Sequence, residues 1–375
     1  MFSVVLSVIS TKQGGTAVTS SGLLFLLLPL LKNPHHLQNY RLVSRAVRMI
    51  DIVLFDYAGN FGAFCDAEGP SLVVERIKSE LELCEALQQA HSQDVVMEED
   101  TGPLPELTPF TDTYWPPRLL SRLEEGHKRL TLLRSLFKFL LHAWMATGTA
   151  DRMRPLIDSS LPKSIRVALE NPKAYGAGVY STAAYLLSTI IHNEPTSLNT
   201  LQEMGLQKAF FSHLADSVTT NNEVLTALPG LISAFCLNTA GLDAFVASNS
   251  LASFLRIFYL PEYLPIMSSE DLPDILGRSV DELVRHQPDL KDHVLAGVHA
   301  VLNKITALGE DVTSEPEGVR SQFSLESRFS PFPAKKGDKT GDKKEAPEFE
   351  EAFTSQLASN FTLVFFFHVI FLFCV

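Results

Sequence analysis

Between Gly178 and Leu260 the chain carries one pattern twice, the second copy 45 residues after the first. Ser188, Thr189, Ile190 and Ile191 lead to Asn193, then to Leu198, Leu201, Gly205, Leu206, Phe210 and Leu214. Ser233, Ala234, Phe235 and Cys236 lead in the same way to Asn238, then to Leu242, Phe245, Asn249, Leu251, Phe254 and Phe258, with one register slip. In each copy an apolar helix runs into an Asn-containing turn. A short amphipathic helix follows with large apolar residues three apart, a Gly or Asn stops it, and a third helix begins. Such a unit cannot bury its apolar face alone, so copies must stack; a period near 45 is that of HEAT and armadillo repeats. The fold class expected is all-α, an armadillo/HEAT-like helical-repeat solenoid with disordered linkers.

A third, worn copy lies upstream. Arg45 to Ile52 reads as a helix with Ala46, Val47, Met49, Ile50 and Val53 toward a core. Asn60, Ala63, Phe64, Gly69, Ser71, Leu72 and Ile77 then echo Asn238, Ala244, Phe245, Ser250, Leu251 and Ile257.

The remaining spacing divides the chain. Residues 1–90 read as a helical solenoid segment in which Gly14-Gly15 breaks the first helix and Asn33-Pro34 ends a leucine-rich one. From Ser71 to Ala90, Leu72, Ile77, Leu81, Cys84 and Leu87 line one side, and Glu75, Arg76, Lys78, Glu80, Glu82 and Glu85 are expected to face out. Residues 91–117, with Glu98, Glu99, Asp100 and several prolines, read as an acidic linker or loop, because too few apolar residues recur to offset the entropy of ordering. Residues 118–309 form the expected armadillo-like repeat domain. It opens on a long helix, Arg118 to Thr147, whose buried face is Leu130, Leu133, Phe137, Leu140, Leu141 and Trp144, stopped by Gly148. Its Arg118, Arg122, Lys128, Arg129, Arg134 and Lys138 read first as a solvated face and second as a dock for an acidic partner or RNA. Leu161 to Leu169 is a short helix entered through Pro162.

After the repeat pair, Pro261, Pro265 and Pro273 are expected to hold a loop. Ser279 and Glu282 then form a capping box, and a stripe of Leu290, Val294, Val298, Val301 and Ile305 ends at Gly309. Residues 310–360 read as a charged disordered linker. Residues 361–375 are an apolar tail with His368 its one ionisable side chain, shorter than the ~20 residues a membrane helix needs. The abrupt change of composition favours a mistranslated or intron-derived end over a tail anchor. Membrane contact is expected only if that tail is genuine. Phe2 to Ile9 has neither a basic segment before it nor a small-residue cleavage site, which weighs against a signal peptide.

Composition narrows function. A net charge of −12 and a pI near 5.4 argue against a duplex nucleic-acid binder. The four cysteines, Cys65, Cys84, Cys236 and Cys374, are far apart with no C-x-x-C spacing, which fits a reducing compartment, cytoplasmic and/or nuclear. No catalytic, cofactor-binding or metal-ligating residue is expected. Tyr175-Gly176-Ala177-Gly178 is half a dinucleotide loop without the strand it needs. His286, His293 and His299, with Asp289 and Asp292 nearby, invite a metal reading, yet His293 and His299 stand about 600° apart on a helix. Cys236 beside Phe235 reads as inert core.

The segment GRSVDELVRHQPDLKDHVLAGVHAVLNKITALG, Gly277 to Gly309, closely resembles the N-terminal region of the giant HECT-type E3 ubiquitin ligases, whose animal member carries UBA, WWE and BH3-like segments. The stretch from Val280 to Lys291 is its most specific part. Asn193 to Gly205-Leu206, Leu228-Pro229 to Gly241-Leu242, Tyr263-Leu264-Pro265, Arg45 to Arg48 and Leu81 to Cys84 support it. The resemblance thus covers most of residues 40–309 and implies two adjoining domains of unassigned function in an armadillo-like superhelix. The thioester-forming cysteine of that family lies in a HECT domain that this sequence lacks, as it lacks the UBA and WWE modules. The resemblance therefore implies a fragment: a non-catalytic scaffold and substrate-recruiting arm. Its partners would be protein substrates of ubiquitination and the remainder of the ligase chain, with no small-molecule substrate, no cofactor, and nucleic acid disfavoured. A free-standing or tail-anchored interaction adaptor is the alternative.

Overall fold

A computed structural model describes residues 2–32, 39–56, 60–99, 117–146, 148–216, 218–267 and 272–314. In chain order these form α1 (Phe2–Ile9), α2 (Lys12–Ser20), α3 (Leu23–Leu27), α4 (Asn39–Phe55), α5 (Asn60–Asp66), α6 (Gly69–Glu99), α7 (Pro117–Met145), α8 (Ala150–Met153), α9 (Leu161–Glu170), α10 (Pro172–Tyr175) and α11 (Ala177–Asn193). They continue as α12 (Leu198–Glu203), α13 (Leu206–Asp216), α14 (Asn222–Phe235), α15 (Thr239–Ala247), α16 (Ser250–Leu255), α17 (Leu264–Met267), α18 (Leu272–His286) and α19 (Lys291–Ser314), with short 3-10 turns between. No strand occurs among the described residues, and the chain is an all-α helical-repeat protein of the solenoid class. It divides into two compact units, residues 1–248 and 249–375.

In the first unit the period of 45 becomes a packing register. Gly178 on α11 leaves room for the Arg134 side chain of α7, which a Cβ there would meet at 3.0 Å. That arginine reaches across to Glu223 on α14, at 2.8 Å. Further along, Asn193 Nδ2 donates to the Trp144 carbonyl at 2.8 Å, and Ser188 Oγ donates to the Gly230 carbonyl at 3.0 Å. Contacts that advance along all three helices together make α7, α11 and α14 parallel neighbours. On the other side of α7, Lys128 lies over the Tyr40 ring and His142 meets Asp51, so α4 runs parallel as well. The result is a layer in the order α4, α7, α11, α14. A second set of helices, α6, α9 and α13, packs behind it. The long helix expected to bury one face is therefore enclosed more widely. Leu132, Leu136, Phe139 and Ala143 of α7 are buried along with Leu133, Phe137, Leu140 and Trp144, because α4, α6 and α11 cover three sides.

The turns of the repeat recur in backbone conformation. In the first copy Gly205, at φ +82°, separates α12 from α13. In the second, Asn238 caps α15 by accepting from the Gly241 N–H at 2.8 Å, and Asn249, at φ +57°, precedes α16. In the worn copy the left-handed residue is Glu68, at φ +58°, one place before Gly69. Gly69 has a different duty: a Cβ there would lie 2.2 Å from the Phe64 ring. Phe235 of the second copy is wholly buried among Phe210 and Phe211.

Several expectations need correction. Helix α2 runs through Gly14-Gly15, and the first break falls at Ser10-Thr11. The leucine-rich run is only half buried: Leu24, Leu27, Leu28 and Leu31 are inside while Phe25 and Leu26 are exposed. Among the described residues no single helix is long and apolar enough to cross a membrane; Lys12–Val18 and Leu23–Leu31 reach that composition only as a pair bent by 67°. Helix α6 continues to Glu99, past the start of the expected acidic linker, and residues 100–116 lie outside the described residues. The largest correction concerns Arg76 and Glu80, expected to face out but both buried.

In the second unit, α16 packs on α19 so closely that a Cβ on Gly297 would lie 2.4 Å from Leu255 Cδ1. Leu290, Val294, Val298 and Val301 form the buried stripe read from the sequence. Its helix, however, passes through Gly309 to Ser314. Pro273 opens α18 rather than holding a loop, since a first-turn proline gives up only an unused N–H. Ser279 consequently sits inside α18, its Oγ donating to the Ile275 carbonyl at 2.7 Å, and is no cap. Residues 315–375, with most of the expected charged linker and all of the apolar tail, lie outside the described residues.

Candidate interaction surface

Among the described residues no group of three or more His, Cys, Asp and Glu side chains is placed to hold a metal. His286, His293 and His299 are each exposed. Gly176, at φ +79°, is the break between α10 and α11, and Gly178 makes space for Arg134; the glycines of the half-motif therefore serve a turn and a packing contact. Cys84 and Cys236 are buried, and burial pushes the Cys236 thiol up to about 12. Cys65 is half-buried, and desolvation raises its pKa despite Arg152 beside it. Neither Cys65 nor Cys236 is shifted toward the thiolate, the form a thioester-forming cysteine requires.

Sequence reasoning missed a buried ion cluster. Glu80 receives Arg76 Nε at 2.7 Å and Arg129 from α7 at 2.9 Å, and the three residues are 0%, 1% and 2% exposed. Arg76 also donates to the Leu31 carbonyl at 3.4 Å. The cluster joins α6, α7 and the leucine-rich turn. Arg129, expected on the basic face of α7, is thereby withdrawn from it. Spacing of i, i+4 between Arg76 and Glu80 was visible, but it is equally the spacing of a surface pair.

A second polar network joins consecutive repeats. Asn238 and Gln202 exchange two hydrogen bonds, at 2.9 and 3.0 Å, and Asn238 also donates to Asn199 at 2.9 Å. Gln207 Nε2 donates to the Gly241 carbonyl at 3.4 Å. Asn193 and Asn238, the turn residues of the two copies, therefore bridge their own repeat to the one before. These bonds fix the repeat-to-repeat angle and leave the outer face of the helix layer to carry other side chains.

That outer face is the feature of the first unit best suited to contact other molecules. Arg41, Arg45 and Arg48 of α4, Lys138 and His142 of α7, and Tyr185 of α11 are exposed on it. Its electrostatics are modest: desolvation raises Asp51 in spite of the neighbouring His142 and Lys138, and desolvation lowers His192. His142 and Asp51 pair on it at 3.0 Å, and its exposed arginines, Lys138 and Tyr185 equip it for binding.

Comparison with known proteins places the chain. A family model described as Domain of Unknown Function (DUF913) matches residues 44–360. The E3 ubiquitin-protein ligase ptr1 of Schizosaccharomyces pombe is 31% identical over 301 residues, which are 80% of this chain and 9% of that protein. The E3 ubiquitin-protein ligase UPL2 of Arabidopsis thaliana is 32% identical over 314 residues, 82% of this chain and 8% of that protein. The E3 ubiquitin-protein ligase HUWE1 of Mus musculus is 31% identical over 324 residues, 83% of this chain and 7% of that protein. The chain thus spans less than a tenth of the length of these relatives.

Proposed function

We propose, from the premise that this chain belongs to the DUF913 family, that it is a non-catalytic arm of an E3 ubiquitin ligase that holds protein substrates for a catalytic module elsewhere in the ligase. The observation that carries this reading is the match itself: 80–83% of the chain aligns to 7–9% of proteins named as E3 ubiquitin-protein ligases. A long chain that needs one catalytic centre has use for extended repeats that present substrates, and a stacked helix layer offers such a surface. The buried or half-buried state of Cys65, Cys84 and Cys236 supports the non-catalytic part. Its partners are then substrate proteins and the remainder of the ligase, in the cytoplasm, the nucleus or both.

Two experiments test the reading. The purified chain, mixed with a ubiquitin-charged conjugating enzyme, should form no adduct that dithiothreitol removes. In a full-length ligase, deleting the segment equivalent to residues 118–309 should leave ubiquitin thioester formation intact while substrate modification falls at least ten-fold. Undiminished substrate modification would sink the recruiting role.

A further inference from the structure

Charge is distributed unevenly in this chain. The whole sequence carries −12, yet Asp51 and Glu223 are the only acidic residues of α4, α11, α14 and the part of α7 from Gly126 onward. The same helices hold seven Lys and Arg residues, of which Arg129 is neutralised internally by Glu80. Of the others, Arg134 pairs with Glu223 on α14, while Arg41, Arg45, Arg48 and Lys138 are exposed on the shared outer face of α4 and α7. Arg41, Arg45 and Arg48 recur every three or four residues and are exposed, so they form one stripe along α4. Lys138 stands beside it on the parallel α7, close enough to act on Asp51. Among the described residues Arg45 and Arg48 enter no hydrogen bond or ion pair.

We propose that this face docks an acidic, extended peptide segment of a partner protein; this deepens the recruiting reading above and rests on it. Charge complementarity selects the partner: a patch of exposed guanidinium and ammonium groups, with Asp51 the one carboxylate on α4 or on α7 from Gly126 onward, favours carboxylates. Geometry selects the form. The arginine stripe spans roughly 10 Å along α4, and neighbouring helices lie about 8–10 Å apart. An extended peptide in the polyproline II conformation rises about 3.1 Å per residue with three residues per turn, so carboxylates at every third position share one face and meet successive helices about 9 Å apart. Nucleic acid fits less well. A polyanion carries a charge every few ångströms and needs a longer basic track than this patch supplies. The guanidinium fork suits bidentate pairing with a carboxylate, which orients the bound segment as well as holding it.

The test uses the full chain and a fluorescein-labelled peptide of roughly twelve residues with Glu at every third position, spaced as the helix separation requires. Fluorescence anisotropy should show saturable binding that weakens as salt rises, and no binding of the same peptide with Gln for Glu. The variant Arg45→Glu/Arg48→Glu/Lys138→Glu should bind at least ten-fold more weakly. A control of equal charge change, Lys78→Glu/Lys163→Glu/Lys208→Glu, reverses exposed lysines of α6, α9 and α13 and should bind within two-fold of the parent. Far-UV circular dichroism establishes that both variants are folded. Equal loss in the control, equal binding of the Gln peptide, displacement by single-stranded RNA of the same charge at lower concentration, or a dimer in sedimentation that buries the face would each overturn the proposal. The assay contains no ubiquitin, so it separates the two readings. Peptide binding with undiminished substrate modification in the deleted ligase would remove the recruiting role and leave the site. Loss of substrate modification without peptide binding would do the reverse.

Discussion

Replacing Glu80 by Ala removes the one carboxylate that two buried guanidinium groups share. In the parent, Glu80 accepts from Arg76 at 2.7 Å and from Arg129 at 2.9 Å, with all three residues almost fully enclosed. After the substitution two cations remain in a site that water reaches poorly. Breaking a buried ion pair by removing one partner typically costs about 3–5 kcal/mol, more than the pair contributes relative to apolar residues of similar size. Unfolding in urea, followed by the fluorescence of Trp144 in a Trp115→Phe background, reads the first unit because Trp144 is buried on α7 beside α4 and α11. With a slope of roughly 2 kcal/mol per molar urea, the midpoint should fall by about 2 M. A companion variant separates charge from packing. Arg76→Met/Glu80→Leu/Arg129→Met fills the same volume without ions and should return to within about 1 kcal/mol of the parent, or above it. A Glu80→Ala loss under ~1 kcal/mol would refute the reasoning, since it would mean that water or relaxation satisfies both arginines.

Phe235→Ala should cost about 3–5 kcal/mol by the same denaturant assay, because the ring is fully buried against Phe210 and Phe211. Glu68→Gly should leave stability unchanged or raise it by up to about 1 kcal/mol, because residue 68 holds a left-handed backbone that a side chain strains; Glu68→Val should lower it by about 1–2 kcal/mol. Burial raises the Cys236 thiol from an ordinary 9.0 to about 12, so the folded state favours the protonated form. That stability is fully present below pH 9 and declines as pH rises toward 12; Cys236→Ala should flatten this part of the alkaline unfolding curve, and an unchanged slope would place the effect elsewhere. Iodoacetamide should modify Cys65 in the native protein before it reaches Cys84 or Cys236, as peptide mapping would show.

The turns were legible where chemistry demands a particular residue. Gly205 and Asn249 take the left-handed conformation that glycine and asparagine reach most readily, and both stood out in the sequence as stops. Glu68 takes the same conformation without a residue type that announces it. The capping box at Ser279 and Glu282 failed for the opposite reason. A local pattern was present, but Pro273 and the apolar positions Leu276, Val280 and Leu283 carry one helix across it. Arg76, Glu80 and Arg129 were missed because long charged side chains are exposed by default, and the partner that buries Glu80 lies 49 residues away. The packing of α4 on α7 was equally hidden, since the acidic stretch 91–117 interrupts the period between them.

In a stack of parallel helices the sequence-adjacent neighbours of a surface residue are seldom its spatial ones. Arg134, Gly178 and Glu223 form one row across three helices although 44 and 45 residues separate them in the chain. Composition read along the chain therefore averages unlike surfaces: the acids of residues 91–117 and 310–351 mask the basic outer face of α4 and α7, and the formal charge of −12 suggests a uniformly acidic molecule. Reading in rows at the repeat period recovers the difference. It also states what selection can change cheaply. Positions that bond to the neighbouring repeat, Asn193, Ser188 and Asn238, are tied by it, so their alteration disturbs the angle between repeats. Exposed positions without a partner among the described residues, such as Arg45 and Arg48, are free of that constraint, and a substitution there alters what the arm binds without altering how it stacks.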